Sequence, residues 1–592
     1  MTERGAVVRI TAETGCGVSA AEVPSDRVRA ASPRGDALSG GARRIGLCMA
    51  VMSVAYLGLL ARLGALAVGA DPGLAAARFA EVEAQGDAGY EAAAPAAALR
   101  PRIVDRKGRD LAMNLPIERV VIDGKLVGDA ARTAEALTAV LDHIDRNWLE
   151  PRIAAGRYLE LRGDLSPEQA DAVHRLGLPG VSFADRDRRV YPNRALAAHV
   201  LGYVDASGRG VMGLERHLND AETEVFAASL DLRVQRVVEA ELDAAITEFE
   251  AKAGWAIVMD AATGELVAVA SAPDFDPNLS GDPEDPDRLN RAFSGTYELG
   301  SAFKTLTAAA AIEAGVAGEE TLIDARKPIV VGGWPVRDLH PEERFLSVEE
   351  VVAHSSNIGS AQLALSLGPE GVRGFLARFG MFEEIEIEAA ETARPQAPRK
   401  WGPSELATVS YGHGIAVTPL HLVKAYAELL NGGCRVAPTL KKRKGETDCE
   451  QIISPRTSVA ARRILRAVTG YGTGKNARAE GFHVIGKTST ADKPASGGYD
   501  RGKRLSSFVG AFPGYDPQYV ILVSLDEPKP QAHTHGFATA GWTAAPAFSR
   551  IVARIAPVLG VAEADEFEIA AGYMGLGLVD GYAGFVSAEA SR

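Results

Sequence analysis

The chain has 592 residues, room for about three to five domains. Hydrophobic residues make up 46% and charged residues 24%, the balance of a folded protein, which excludes a wholly disordered or collagen-like chain. Acidic residues outnumber basic ones 77 to 64, a formal charge of −13 that speaks against a nucleic-acid coat, and 4 badly spaced cysteines make neither a disulfide scaffold nor a structural zinc site.

Residues 1–42 are rich in Gly, Ser, Ala and Arg without periodicity and read as a disordered tail. Ile45 to Ala61 (IGLCMAVMSVAYLGLLA) carries no charge, and the apolar run resumes after Arg62. A spanning helix needs about 17–25 apolar residues. The segment meets that length if Arg62 snorkels to the interface and the helix continues toward Val68. Arg27, Arg29, Arg34, Arg43 and Arg44 precede it and place the N-terminus in the cytoplasm. Residues 43–68 are expected to be an uncleaved signal anchor, with the mass of the chain outside. A cleaved signal peptide would have an unusually long charged region, and a buried core helix fits the flanking arginines poorly.

Residues 69–226 start as an Ala-rich linker (Asp71–Leu99). From Arg100, strand-like runs (RVVIDG, Arg119–Gly124; YLELRG, Tyr158–Gly163) alternate with a helix-like run (Ala130–Ile144), an α+β module. Residues 227–560 begin with an amphipathic helix, SLDLRVQRVVEAELDAAITEF, and two strands joined by the turn Ala261–Gly264 (Trp255–Ser271). Strand signals return at Phe508–Tyr515 and Tyr519–Asp526, and helical stretches such as Ala308–Ala314 and Leu420–Leu430 lie between. This pattern predicts one α/β domain whose sheet is built from both ends of the segment. Residues 561–592 read as a tail. Cys434 and Cys449 would lie in an oxidising compartment around a basic stretch (KKRKGE, Lys441–Glu446); a disulfide and two free thiols are both open.

Three short motifs carry chemistry. Ser301-Ala302-Phe303-Lys304 follows Gly300 and precedes the Ala-rich run TLTAAAAIEAG. If Ser301 opens that helix, Ser301 and Lys304 share one face. A Ser hydroxyl needs a base within reach, and a Lys serves only if its pKa is pushed down by burial, a second cation or the helix dipole. An ordinary helix start with a solvated Lys has the same spelling. Ser355-Ser356-Asn357 fits a helix cap equally well, or a proton relay (Ser355) beside an amide-orienting Asn357. Lys487-Thr488-Ser489-Thr490 follows the strand-like HVIG. Alternation puts Lys487 and Ser489 on one face and Thr488 and Thr490 on the other. The pattern suits a polar edge strand, or a cation and hydroxyls that clamp a carboxylate. The three in this order are far more specific than any one alone.

With these motifs, the sequence resembles a class B penicillin-binding protein, specifically the division-associated (septal) peptidoglycan D,D-transpeptidase of Gram-negative bacteria. The similarity runs from about Arg100 to Leu559. It includes RPRIVDRKGRDLA (Arg100–Ala112), RVYPNRALAAHVLGYVD (Arg189–Asp205), GVMGLE (Gly210–Glu215), SLDLRVQ (Ser229–Gln235), ASAPDFDPN (Ala270–Asn278), NRAFSGTYELGSAFK (Asn290–Lys304), SYGHGIAVTPLHL (Ser410–Leu422) and ATAGWTAAPAF (Ala538–Phe548). The resemblance implies a penicillin-binding, serine β-lactamase-like α/β domain. Its central antiparallel sheet is flanked by helices and preceded by an α+β pedestal of the dimerisation type. It implies acyl transfer on the D-Ala-D-Ala end of a stem peptide. Ser301 would be the nucleophile, Lys304 the base, Ser355 the proton relay and Asn357 the amide holder. Lys487 would act with Thr488, Ser489 and Thr490 on the substrate carboxylate. The backbone N–H groups of Ser301 and Thr490 would form the oxyanion hole.

No metal or organic cofactor is expected. The implied partners are stem peptides, β-lactams, a multi-spanning SEDS-type glycan polymerase and other division proteins, at the inner membrane with the catalytic domain in the periplasm. Three positions depart from the family: Ser489 stands where Gly is usual, Leu299 where Pro is common, and Ala302 where Thr is common. Ser489 leaves open a catalytically weakened paralogue acting as a division scaffold, and an elongation-type enzyme is a further alternative. A soluble β-lactamase would have no use for anchor and pedestal. A bifunctional enzyme would need a polymerase domain larger than Arg100–Phe226.

Overall fold

The computed structural model describes residues 100–564, apart from 162–164, 280, 283, 390, 446–447 and 496–497. The expected tail, the signal anchor at Ile45–Val68, the Ala-rich linker and residues 565–592 lie outside the described residues. Among the described residues no helix is long and apolar enough to cross a membrane.

In the N-terminal module β1 (Arg102–Val104) pairs antiparallel with β2 (Asp110–Asp123), and parallel with a strand at Val225–Ala227. The chain therefore enters and leaves the module side by side. Beyond β1, β2 pairs with β3 (Tyr158–Glu160) and β4 (Val181–Val190). The strand at Val225–Ala227 is β5. Helices Ala130–Val140, Arg146–Ala154 and Pro167–Leu176 pack there through Leu137, Leu149, Ile153 and Val173. The strand expected at Arg119–Gly124 is the end of a much longer one. The stretch Asn114–Arg119 is exposed or half-buried and faces the charged run of β4; Met113, Leu115 and Ile117 alternate, but Pro116 and the charged Glu118 and Arg119 break the strand signal.

Three stretches far apart in sequence meet at Glu215, which has no exposed surface. Arg100 Nε lies 2.8 Å and Arg189 Nε 2.7 Å from its carboxylate. Nearby, Arg109 links the buried Asp105 to Asp231 (2.9 Å), which caps the helix Leu232–Glu248 of the large domain.

In the large domain β6 (Ala253–Asp260) and β7 (Leu266–Ala272) form a hairpin. Two small antiparallel pairs lie between helices: β8 (Leu322–Asp324) with β11 (Phe345–Ser347), and β9 (Ile329–Val331) with β10 (Trp334–Val336). The last strands are β12 (Ile485–Ala495), β13 (Gly498–Phe512) and β14 (Tyr519–Asp526). The order is β12-β13-β14-β6-β7, antiparallel throughout. Both ends of the segment thus supply one sheet, as its strand signals imply, and β12 is an edge. β6 is buried at seven of its eight positions because both faces are covered. Trp255, Ile257 and Met259 join the core that holds Leu422, Tyr426 and Leu429. Ala256 and Val258 face the core of Val234, Val238, Phe548 and Ile551, from helices Leu232–Glu248 and Ala544–Leu559. Each large apolar side chain buried in these layers contributes about 1.5–3 kcal/mol. Cys434 and Cys449 form a disulfide, which closes the basic stretch into a loop.

Candidate active site

Ser301 lies in a 3₁₀ turn, Gly300–Ala302, that precedes the helix Phe303–Glu313, one step earlier than a helix start. The turn is held from three sides. Gly300 has φ +51°, and a Cβ there would come within 2.8 Å of Ser489 Oγ and 3.2 Å of Ala491 Cβ. Its N–H donates to Gly412 O (3.2 Å), and Gly412, at φ +78°, is so close that a Cβ would meet Gly300 O at 2.1 Å. From below, the Tyr426 hydroxyl lies 2.9 Å from Ala302 O and from Thr305 Oγ1.

Lys304 is 1% exposed. Its ammonium donates to Ser355 O at 2.5 Å and to Ser355 Oγ at 3.0 Å. Ser355 presents both oxygens because it sits between two helices at φ +61°, a left-handed conformation that non-glycine residues seldom adopt and that clusters at functional sites. The next residue, Ser356, caps the helix Asn357–Arg378 by accepting from Gly359 N (3.0 Å). Ser356 also donates to Asp338 Oδ2 (2.7 Å), and Ile358 N donates to Asp338 Oδ1 (2.9 Å). Asn357 opens the same helix, and its amide donates to Arg337 O (2.9 Å). The cap and the Lys304 contact are therefore both present, on neighbouring serines.

Lys487 is fully buried on β12, where its ammonium donates to Thr488 O (3.1 Å). The strand alternates as expected. Lys487 and Ser489 face the Gly300–Ala302 turn: Lys487 lies near enough to Lys304 for the two charges to repel, and the Ser489 hydroxyl donates to Leu299 O. The Lys487 ammonium also lies 3.4 Å from Thr488 Oγ1, so amine and hydroxyl meet at the strand edge; Thr488 Oγ1 pairs with Thr473 Oγ1 (2.5 Å), and Thr490 Oγ1 accepts from Ala540 N (3.0 Å).

Burial removes water from both amines and favours their neutral forms. For Lys304 it pulls the pKa from 10.5 down to about 7, against the opposing pull of the Asp338 carboxylate. Lys487 is also pushed well down, by burial and then by the charge of Lys304. His413, on the turn behind Gly412, is lowered by burial although Glu298 beside it favours the charged form. A hydroxyl on a clamped turn, an amine one helical turn away whose pKa burial lowers to about 7, and a second buried amine nearby make an arrangement chemically able to carry out acyl transfer. Among the described residues no group of three or more His, Cys, Asp or Glu is placed to hold a metal ion.

Comparison with known proteins agrees. Residues 254–553 match the penicillin binding protein transpeptidase domain, and residues 95–245 match the penicillin-binding protein dimerisation domain. The chain belongs to the penicillin-binding protein transpeptidases. A curated relative, the probable peptidoglycan D,D-transpeptidase FtsI of Caulobacter vibrioides, is 39% identical over 480 residues, covering 78% of this chain and 82% of the relative. The peptidoglycan D,D-transpeptidase FtsI of Escherichia coli K12 is 27% identical over 502 residues, covering 78% and 84%. The crystal structure of penicillin binding protein 3 from Mycobacterium tuberculosis, complexed with aztreonam, superposes with a TM-score of 0.62 at 25% identity, covering 79% of this chain and 98% of that one.

Within this transpeptidase the structure brings Ser301, Lys304, Ser355 and Lys487 into one locality, with Asn357 and the β12 threonines around it. Sequence reading missed Asp338, Thr473 and Tyr426. Asp338 stands in an irregular loop (VRDLHPEE) with no motif of its own. Tyr426 reads as one more apolar residue of a buried helix, and only the fold shows its hydroxyl under the nucleophile turn.

Proposed function

We propose that the protein is a serine D,D-transpeptidase that cross-links peptidoglycan stem peptides at the division septum. The observation that carries this reading is a buried Lys304, with its pKa near 7, held on Ser355 three residues from Ser301. Ser301 Oγ attacks the carbonyl of the penultimate D-Ala while neutral Lys304 takes the hydroxyl proton. That proton passes through Ser355 Oγ to the departing nitrogen, the amide bond breaks, and the terminal D-Ala leaves as an amine. The acyl group stays as an ester on Ser301. An amine from a neighbouring stem peptide then attacks the ester, gives up a proton to Lys304 and forms the new amide, and Ser301 recovers its hydrogen. Backbone N–H groups of Ser301 and Thr490 stabilise the oxyanion in both halves.

Asn357 holds the stem-peptide amide. Lys487, Thr488 and Thr490 receive the terminal carboxylate, whose charge favours the protonated form of Lys487. β-Lactams enter as strained analogues of the same amide and acylate Ser301. Ser489, the one feature behind the scaffold alternative, is buried with its hydroxyl on Leu299 O, so that alternative keeps no structural support.

In this reading residues 43–68 anchor the chain in the inner membrane, residues 69–226 are the linker and pedestal, and residues 227–560 are the periplasmic transpeptidase domain. A multi-spanning glycan polymerase supplies nascent strands, with the anchor and pedestal as its contact. The test is intact-mass analysis after incubation with a penicillin. Wild type gains one penicilloyl group, and Ser301→Ala gains none. A wild type that stays unmodified rejects the enzymatic reading.

A further inference from the structure

Two departures from the family, far apart in the chain, touch in the fold. Leu299 lies at φ −87°, close to the range a proline ring would enforce, but it has no ring to hold it there. Its carbonyl accepts a hydrogen bond from the hydroxyl of Ser489, which is 3% exposed and fills the space beside Gly300 that a side chain would otherwise claim. A Gly at position 489 could not make this bond. Each end of the bond adjoins an oxyanion donor. Thr490 directly follows Ser489 on β12, and Ser301 lies two residues after Leu299 on the 3₁₀ turn. The hydrogen bond is therefore a crosspiece between the strand and the turn that carry the two N–H groups.

We propose that Ser489 is a positioning residue: its hydroxyl fixes the spacing between the nucleophile turn and β12, and so the separation of the Ser301 and Thr490 N–H groups that receive the oxyanion. The proposal rests on the acyl-transfer reading for its catalytic meaning, but the tether itself is a property of the fold. Ala491 of β12 also lies beside Gly300 but has only a methyl group to pack there, so the Ser489 hydroxyl is the polar link from β12 to the turn among the described residues. Gly412 O holds Gly300 N and Tyr426 lies against Ala302 O, yet neither belongs to β12. An oxyanion hole demands donors at about 2.7–3.1 Å from the developing charge. A turn free to slide along an edge strand meets that demand only part of the time. The hydroxyl contacts a protein carbonyl, so its loss affects the chemical step and leaves the affinity of the initial complex unchanged.

The experiment uses Ser489→Ala and Ser489→Gly in the full-length protein, with a labelled penicillin as probe and stopped-flow separation of the binding constant from the acylation rate constant. Both variants should lower the acylation rate constant about tenfold, the worth of one buried neutral hydrogen bond, with the binding constant unchanged. A weaker binding constant with an unchanged acylation rate makes Ser489 a ligand contact and overturns the proposal. Hydrogen–deuterium exchange in the absence of penicillin decides the tether separately. Amides of the Gly300–Phe303 stretch should exchange several-fold faster in both variants than in wild type, and unchanged exchange overturns the tether. If wild type is not acylated at all, the acyl-transfer reading fails, and the exchange measurement still accepts or rejects the crosspiece.

Discussion

Charge is buried in two regions of this molecule and is handled in opposite ways. In the pedestal the carboxylate of Glu215, with no exposed surface, is enclosed by Arg100 and Arg189 at ion-pair distance. In the transpeptidase domain the amines of Lys304 and Lys487 are as deeply buried, yet among the described residues neither forms an ion pair. Their hydrogen bonds run to serine and threonine oxygens instead. A buried charge with good partners stays charged and does no proton chemistry. A buried amine whose hydrogen bonds go only to neutral oxygens, with its nearest carboxylate too far for an ion pair, gives up its proton near neutral pH. The pedestal uses charge to join distant chain segments, whereas the groove keeps its buried amines out of ion pairs and so lowers their pKa.

The contrast breaks most visibly at Lys304. Lys304→Met should lower the penicillin acylation rate by roughly 10²–10⁴. It should leave the thermal midpoint unchanged or raise it, because an unpaired buried amine is replaced by an apolar chain of similar volume. Retained acylation, or a large loss of stability, would show that Lys304 is a structural residue like Glu215. The converse substitution, Glu215→Ala, leaves Arg100 and Arg189 facing each other without a counter-charge. It should cost about 3–5 kcal/mol in chemical unfolding at neutral pH. A loss below about 1 kcal/mol would mean that the pedestal arginines find other partners and that the triad is not its clasp.

The unpaired state of the Lys304 amine also has a pH signature. Burial lowers the Lys304 pKa from 10.5 to about 7, so the amine is a competent base above that pH and a blocked one below it. The acylation rate constant should rise as pH climbs through about 7 and level off beyond. The Asp338 carboxylate favours the charged amine, so Asp338→Asn should move this midpoint to lower pH. A midpoint that stays in place, or moves up, would remove Asp338 from the electrostatics and leave it only as the partner of Ser356 and Ile358 N.

Much of this is legible in the amino-acid sequence alone, and what is not is hidden for physical reasons. The strands at Trp255–Ser271 and Tyr519–Asp526 are apolar runs covered on both faces, and such runs announce themselves. The middle of β2 alternates only weakly, interrupted by Pro116 and charged residues, and the outer half of the β12–β13 hairpin is paired but solvent-facing, so its charged residues carry no periodic signal. Ser301, Lys304, Ser355 and Lys487 were readable because short motifs place them. The family landmarks in the pedestal found Arg100, Arg189 and Glu215 without revealing that the three meet. Nothing in the sequence points to Asp338, since a carboxylate in an irregular loop matters only through where the loop lands. The role of Ser489 was also hidden, because the direction of one hydroxyl and its acceptor belong to tertiary structure.

The shared sheet has a consequence for how the protein is made. Met259 on β6 pairs with Val520 on β14, and the strand that carries Lys487 joins this sheet only through β13 and β14. While a ribosome is translating the stretch that leads up to β12, Ser301 and Lys304 have already been made, but the groove has no far wall. A nascent or truncated polypeptide that stops before β14 therefore has Ser301 and Lys304 with no completed groove around them. Competence to react arrives only once nearly the whole domain has been synthesised.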